Sequence, residues 1–174
     1  MTTRFPHVPT GSAGLDYLIS GDDPDRCPGF PKGMFTHIIG PSHILATIES
    51  AVLNRHPDVA IRPMGSPPDA PRTLQTMLED LSKGAPLILV RSPTEDKTFW
   101  AVALPAFLDQ ANKAQAAVVF LSDTHDTNGP PLSLKFYTHV KIVIDEARLA
   151  HVHKNKVAST QGLKVQLTRA MTLA

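Results

Sequence analysis

The chain has one cysteine, Cys27, so an internal disulfide is impossible and a cysteine-based zinc site is excluded. It also lacks long apolar runs. None approaches the roughly 20 residues that cross a bilayer, and the opening MTTRFPHVPTG has no apolar leader core. Excess charge is missing as well. A net charge of +1 gives no global electrostatic reason to expect nucleic acid or a membrane surface. These absences together lead us to expect a reducing, cytoplasmic setting and no metal cofactor.

What is there suits one domain. The 174 residues, 42% hydrophobic and 19% charged, are enough for a sizeable core. The 16 prolines cluster between elements rather than in one tract. Thr36 to Ile39 reads as a short buried strand, and Ile44, Leu45, Ile48, Ala51 and Val52 then recur at helical spacing, with Ser42 as expected N-cap. After the proline-rich RPMGSPPDAPR, the repeat of Leu74, Met77, Leu78 and Leu81 predicts an amphipathic helix, with Asp69 as cap and Gly84 as stop. Leu87–Val90 and Ala117–Leu121 are unbroken apolar runs of the kind parallel strands use. A helix from about Trp100 to Ala114, bent or restarted at Pro105, separates them. Residues 140–144, 150–154 and 164–168 alternate in polarity, which predicts an antiparallel extension of the sheet. Strand–helix units followed by a β-meander give an α/β fold with a mixed sheet.

Three blocks resemble the core of RecA-type recombinases, in the family's order. "PTGSAGLDYLISG" followed by "GFPKGMFTHIIGP" is similar to the opening that leads into that family's P-loop. "LSLKFYTHVKIVID" is similar to the stretch after its second DNA-binding loop. "HVHKNKVAS" resembles the strand whose Lys-Asn-Lys reaches nucleotide across a subunit interface. The resemblance implies a RecA-like core with a mostly parallel sheet, flanking helices and a C-terminal antiparallel β extension. It further implies one trimmed domain over residues 1–174, without the family's N-terminal polymerisation helix or its C-terminal domain. Between Ile48 and Leu74 the family strand that carries a water-activating glutamate is expected to be absent.

The resemblance also marks where nucleotide chemistry would sit, and the residues there depart from it. In "GPSHILAT" the P-loop pattern G-x-x-x-x-G-K-[ST] keeps Gly40 and Thr47. Leu45 stands in place of the second glycine and Ala46 in place of the lysine, removing close backbone approach and the cation that meets the phosphates. Thr47 retains a hydroxyl able to bind Mg²⁺. The strand from Leu87 should end in a metal-holding acid and ends in Arg91, whose guanidinium repels a metal. A phosphate-binding role for Arg91 is the alternative. The γ-phosphate sensor position falls at Asp123. We therefore expect no ATPase activity and no bound cofactor.

The two DNA-binding loops of the family correspond to SPTEDKT and THDTNGPP, short and poor in cations, so DNA binding through them is expected to be weak or absent. Basic residues gather later, at Lys135, Lys141, Arg148, Lys154, Lys156, Lys164 and Arg169. Lys154 and Lys156, two apart on a predicted strand, share a face. They are either candidates for reaching a partner's nucleotide or a solvated edge that discourages strand pairing. His151 and His153, with His139 near, have no acidic or cysteine ligand at matching spacing, so no metal site is expected. Residues 122–126 contain hydrolase-like types without a nucleophile elbow. Phe99 and Trp100 read as core or interface anchors. The expected function is a catalytically inactive RecA-like interaction or assembly module, with an ATP-active recombinase or itself as partner. The alternatives are a structural self-assembling protein and a nucleotide-binding pseudo-ATPase.

Overall fold

A computed structural model describes residues 4–63, 70–91, 97–124 and 137–174, with the side chains of residues 97–101 excepted. The apolar runs become a seven-stranded sheet. In chain order its strands are β3 (Phe35–Gly40), β4 (Ala60–Pro63), β5 (Leu87–Arg91), β6 (Ala117–Asp123), β7 (Val140–Ile144), β8 (Leu149–Asn155) and β9 (Lys164–Gln166). Their spatial order is β4-β5-β6-β3-β7-β8-β9. The first five in that order run parallel, and β8 and β9 are antiparallel. A separate two-stranded sheet pairs β1 (His7–Val8) with β2 (Phe30–Pro31). Four helices stand among the described residues: α1 (Ala13–Ser20), α2 (Ser42–Arg55), α3 (Ala70–Ser82) and α4 (Lys97–Ala114).

The central strands are apolar on both faces because both faces are covered. On one side Ile38, Leu87, Leu89, Val119, Val140, Ile142 and Val152 pack with α1, α2 and the C-terminal segment. On the other, Phe35, Ile88, Val90, Val118 and Phe120 meet Met77, Leu81, Leu104 and Phe107 of α3 and α4. That second cluster draws no buried residue from β7, β8 or β9. Among the described residues, α3 and α4 therefore cover that face of the sheet only as far as β3.

Several expectations change. A strand does lie between Ile48 and Leu74: β4 pairs in parallel with β5 at the sheet edge. Its run is short and interrupted by Arg62, which hid the periodicity. Arg62 Nε and Nη2 each donate 2.7 Å bonds to Asp80 on α3, tying this edge to the helix beneath. No carboxylate stands at its end, which is Arg62-Pro63. α4 is not restarted at Pro105 but runs through it; Pro105 faces solvent, where water can serve the carbonyl its missing N–H leaves. The last strand ends at Gln166 rather than residue 168. Gly84, at φ 85, ends α3 as expected. The expected cap Asp69 and Lys135 lie outside the described residues, as do most of the two short loops.

The block "TGSAGLD" is a folding device. Ser12 caps α1 by accepting from the Leu15 amide, and its hydroxyl donates to the Met171 carbonyl at 2.6 Å. The Thr10 hydroxyl donates to Asp16 at 2.7 Å. Gly11 takes φ 80 against α2, where a Cβ would lie 2.2 Å from the Ala51 carbonyl oxygen. Cys27 is wholly buried, and burial pushes its thiol up to about 12, so it is inert packing rather than a reactive group.

Candidate functional site

In an open α/β sheet, ligands bind beyond the carboxyl ends of the parallel strands. Gly40, Arg91 and Asp123 end β3, β5 and β6 there, with Gly40 and Asp123 directly paired in register. A cleft of about 440 Å³ opens at this edge, and Ser42, Leu45, Ala46, Glu49, Arg91 and Asp123 line it. The positions singled out in the sequence, Leu45, Ala46, Arg91 and Asp123, thus come together around one cleft. Sequence and structure differ on its contents.

The chain between β3 and α2 is very short. Gly40 is the last strand residue, Pro41 occupies the N-cap with φ −60 and ψ 148, and Ser42 is already helical. The amides of Ile44 and Leu45 both donate to the Pro41 carbonyl at 3.0 Å. A phosphate cradle needs several residues of loop with their N–H groups turned inward; here Leu45, Ala46 and Thr47 belong to the helix instead. The Leu45 side chain is half-buried against the first cluster. Its Cδ2 lies 3.8 Å from where a Cβ on Gly40 would stand.

Two residues do not act as the sequence suggests. Ser42 was expected to cap the helix, but the cap position belongs to Pro41, which has no side-chain hydrogen bond to offer. The Ser42 hydroxyl donates across the cleft mouth to the Asp123 carboxylate. Thr47, expected to keep a free metal-binding hydroxyl, donates it to the His43 carbonyl one turn back at 3.1 Å. This is a common fate of threonine inside a helix.

Arg91 is held by a residue that the sequence reading missed. Its Nε donates to Glu49 Oε2 at 2.6 Å, and its Nη2 donates to Oε1. This two-pronged geometry suits guanidinium and carboxylate. The hydrogen bonds that Arg91 donates to Glu49 hold its pKa above the ordinary value. The Glu49 side chain is 12% exposed and that of Arg91 48%. The pair therefore closes the inner wall of the cleft while one guanidinium face stays wet. In sequence Glu49 stands on α2 beside Leu45 and Ile48, with nothing to single out its side of the helix. Only the position of β5 shows that this side faces Arg91.

Lys154 and Lys156 lie at the opposite end of the sheet. β8 runs antiparallel, and Asn155 pairs with Val140 at the start of β7. The strand ends at Asn155, so Lys156 lies just past it rather than within it. Asn155 is a buried turning post. It donates to the Ile19 carbonyl at 2.8 Å and to Thr160 Oγ1 at 2.6 Å, and accepts from the amides of Val157 and Ala158. The two lysines remain neighbours: after burial, Lys156 is the first charge that lowers the Lys154 pKa. His151 and His153 stack with ring centroids 4.3 Å apart. No group of three or more metal-ligating side chains occurs among the described residues, and no described helix is long and apolar enough to cross a membrane. Two residues of the hydrolase-like run, His125 and Asp126, lie outside the described residues, and nothing is assigned to the side chains of Phe99 and Trp100.

No protein-family model matches the sequence, and no curated protein matches it. Solved structures do. The chain is similar to the KaiC-like protein PH0186 from the hyperthermophilic archaeon Pyrococcus horikoshii OT3, with TM-score 0.64 and 13% identity, covering 94% of this chain and 95% of that one. It is also similar to the RadB recombinase, with TM-score 0.64 and 15% identity over 84% of this chain and 93% of that one. The fold is RecA-like: a mostly parallel seven-stranded sheet between helices, extended by antiparallel strands.

Proposed function

From a RecA-like fold whose cleft is occupied by its own side chains, we propose that this protein is a catalytically inactive RecA-like module. It works by contact with another protein, and the partner is an ATP-active recombinase of the same fold, whose filament on DNA it modulates. The observation that carries the reading is the start of α2 at Ser42. With no loop between Pro41 and the helix, the backbone offers no cradle for a triphosphate, and Ala46 offers no cation. The Glu49–Arg91 pair supports the same reading, because it uses the guanidinium that would otherwise attract phosphate.

Lys154 and Lys156 are the proposed contacts to the partner's nucleotide. Retention of the purified protein by a recombinase filament, formed on single-stranded DNA with a slowly hydrolysed ATP analogue, tests this. Filament-dependent retention that falls in Lys154→Ala/Lys156→Ala is expected. Equal retention by bare resin, or none under any condition, refutes it.

A second reading is head-to-tail self-association. It draws support from the placement of the Asp123 cleft and the Lys154–Lys156 end at opposite ends of one sheet, the arrangement a heterologous contact uses. Concentration-dependent assembly without DNA or nucleotide favours it over the first.

A further inference from the structure

α3 and α4 each follow a strand of the parallel part of the sheet, β4 and β5, and lead back to the start of the next. The two helices therefore run in the same direction, side by side on one face. Between them lies an open groove of about 630 Å³, within the size range of small-molecule sites. Leu74, Leu78 and Leu81 of α3 and Phe107 of α4 give it an apolar lining. Phe107 is buried, and its ring lies 5.6 Å from that of Phe35 on β3, so this floor is continuous with the packed core and already formed. The groove stays open because α4 lines it with Ala103, Ala106 and Ala114, where longer side chains would fill it.

We propose that this groove binds an amphiphile of the fatty-acid class, with one aliphatic chain and an anionic head. Its polarity changes along the groove rather than across it. Ser82, Gln110 and Lys113 line the end where both helices finish, and the other lining residues are all apolar. A protein interface has an apolar centre ringed by polar groups; polarity at one end alone matches a tail and a head. The charge of the head follows from what stands at that end. The last carbonyls of both helices are taken: those of Asp80, Leu81, Ala111 and Asn112 accept from the amides of the residues that follow. They leave little for a cationic head. Lys113 pairs with Asp109 at 2.9 Å, and both side chains are more than half exposed. Such a pair is weak, so the ammonium can turn to a carboxylate, with the Gln110 amide as a second donor. From Ala103 to Ala114 the helix rises about 16 Å, the length of an extended chain of about 12 carbons.

The test is titration calorimetry of the full chain with dodecanoate below its micelle concentration, together with thermal unfolding. A one-to-one saturable heat and a rise in Tm are expected. Decanoate, two methylenes shorter, should bind about tenfold more weakly. Lys113→Gln should weaken dodecanoate about fivefold and leave dodecyltrimethylammonium, the same chain with a cationic head, unaffected. Ala106→Trp fills the groove from an exposed position and should abolish binding, with circular dichroism like that of the parent. No saturable heat, or an Ala106→Trp variant that binds like the parent, overturns the proposal. A fall in Tm does so too, because it marks detergent-like binding to the unfolded chain. Equal affinity for the two heads overturns the anionic assignment. A parent that sediments as a dimer beside a monomeric Ala106→Trp gives the groove to a second copy of the chain and overturns the ligand. The inference stands apart from the recombinase reading, because the groove contains neither Lys154 nor Lys156: loss of filament retention in Lys154→Ala/Lys156→Ala and loss of dodecanoate binding in Ala106→Trp are separate outcomes.

Discussion

Removing Arg91 and removing Glu49 should have unequal costs, and the inequality measures how the cleft is closed. Their bidentate contact joins the end of β5 to α2, but the Glu49 side chain is 12% exposed and the Arg91 side chain 48%. Breaking a fully buried pair by deleting one partner costs about 3–5 kcal/mol, whereas exposed pairs are worth about 0.2–1 kcal/mol. Arg91→Ala leaves a mostly buried carboxylate without its cation, and after discounting for solvent at the guanidinium it should cost about 2 kcal/mol. Glu49→Ala frees a guanidinium that can turn to water, at about 1 kcal/mol. The double variant should cost about 1 kcal/mol less than the sum of the two, because the pair couples them. Urea unfolding at pH 7.5 with unchanged m-values reads all three. Equal costs for the single variants, or strict additivity in the double, would refute the reasoning.

Four further outcomes rest on other contacts of the fold. Burial holds the His37 pKa down to about 3 while its Nε2 lies 2.7 Å from Ser122 Oγ; the unfolded chain takes up the proton near 6.5, so stability is complete above that value and falls as pH drops from 6.5 towards 3. The loss at pH 5 is about 2 kcal/mol. His37→Gln should flatten that dependence in urea melts at pH 7.5 and 5, and an unchanged slope contradicts the assignment. Leu45→Gly/Ala46→Lys, which rewrites the P-loop pattern, should cost about 2 kcal/mol from lost burial and a mid-helix glycine and should still show no heat with Mg-ATP in calorimetry. Asp80→Ala strands Arg62 and should loosen β4; faster amide exchange there than in β6 is the expected readout, with a global cost of about 1–2 kcal/mol. Ser12→Ala removes a helix cap and a tether to Met171 together, for about 1–2 kcal/mol by thermal unfolding.

The sequence made legible those parts of the fold whose signal is local. Apolar runs and helical periodicity mark β3, β5, β6, α2 and α3 to within a residue or two, because these elements are buried on a regular period. β4 escaped because a four-residue edge strand containing Arg62 and ending in Pro63 has no period to read. The pairing of β1 with β2 joins segments more than twenty residues apart, which no local pattern reveals. At the site, the positions of Gly40, Arg91 and Asp123 were readable from the apolar runs together with the RecA-type resemblance. The partners were not. Glu49 and the Ser42–Asp123 bond depend on how α2 sits over the sheet, and the turning of Thr47 towards His43 on the helix starting as early as Ser42. The bulge at His153 likewise appears only in the register of β7 against β8.

Isothermal calorimetry and thermal unfolding in millimolar Mg-ATP, on one preparation, test the central claim most directly. A ligand that binds only the native state must raise its stability by mass action. With α2 beginning at Ser42 and Arg91 held by Glu49, the account predicts no saturable heat and no rise in Tm. A saturable heat with a matching rise in Tm, both lost in Arg91→Ala, would contradict it and make the cleft a working nucleotide site.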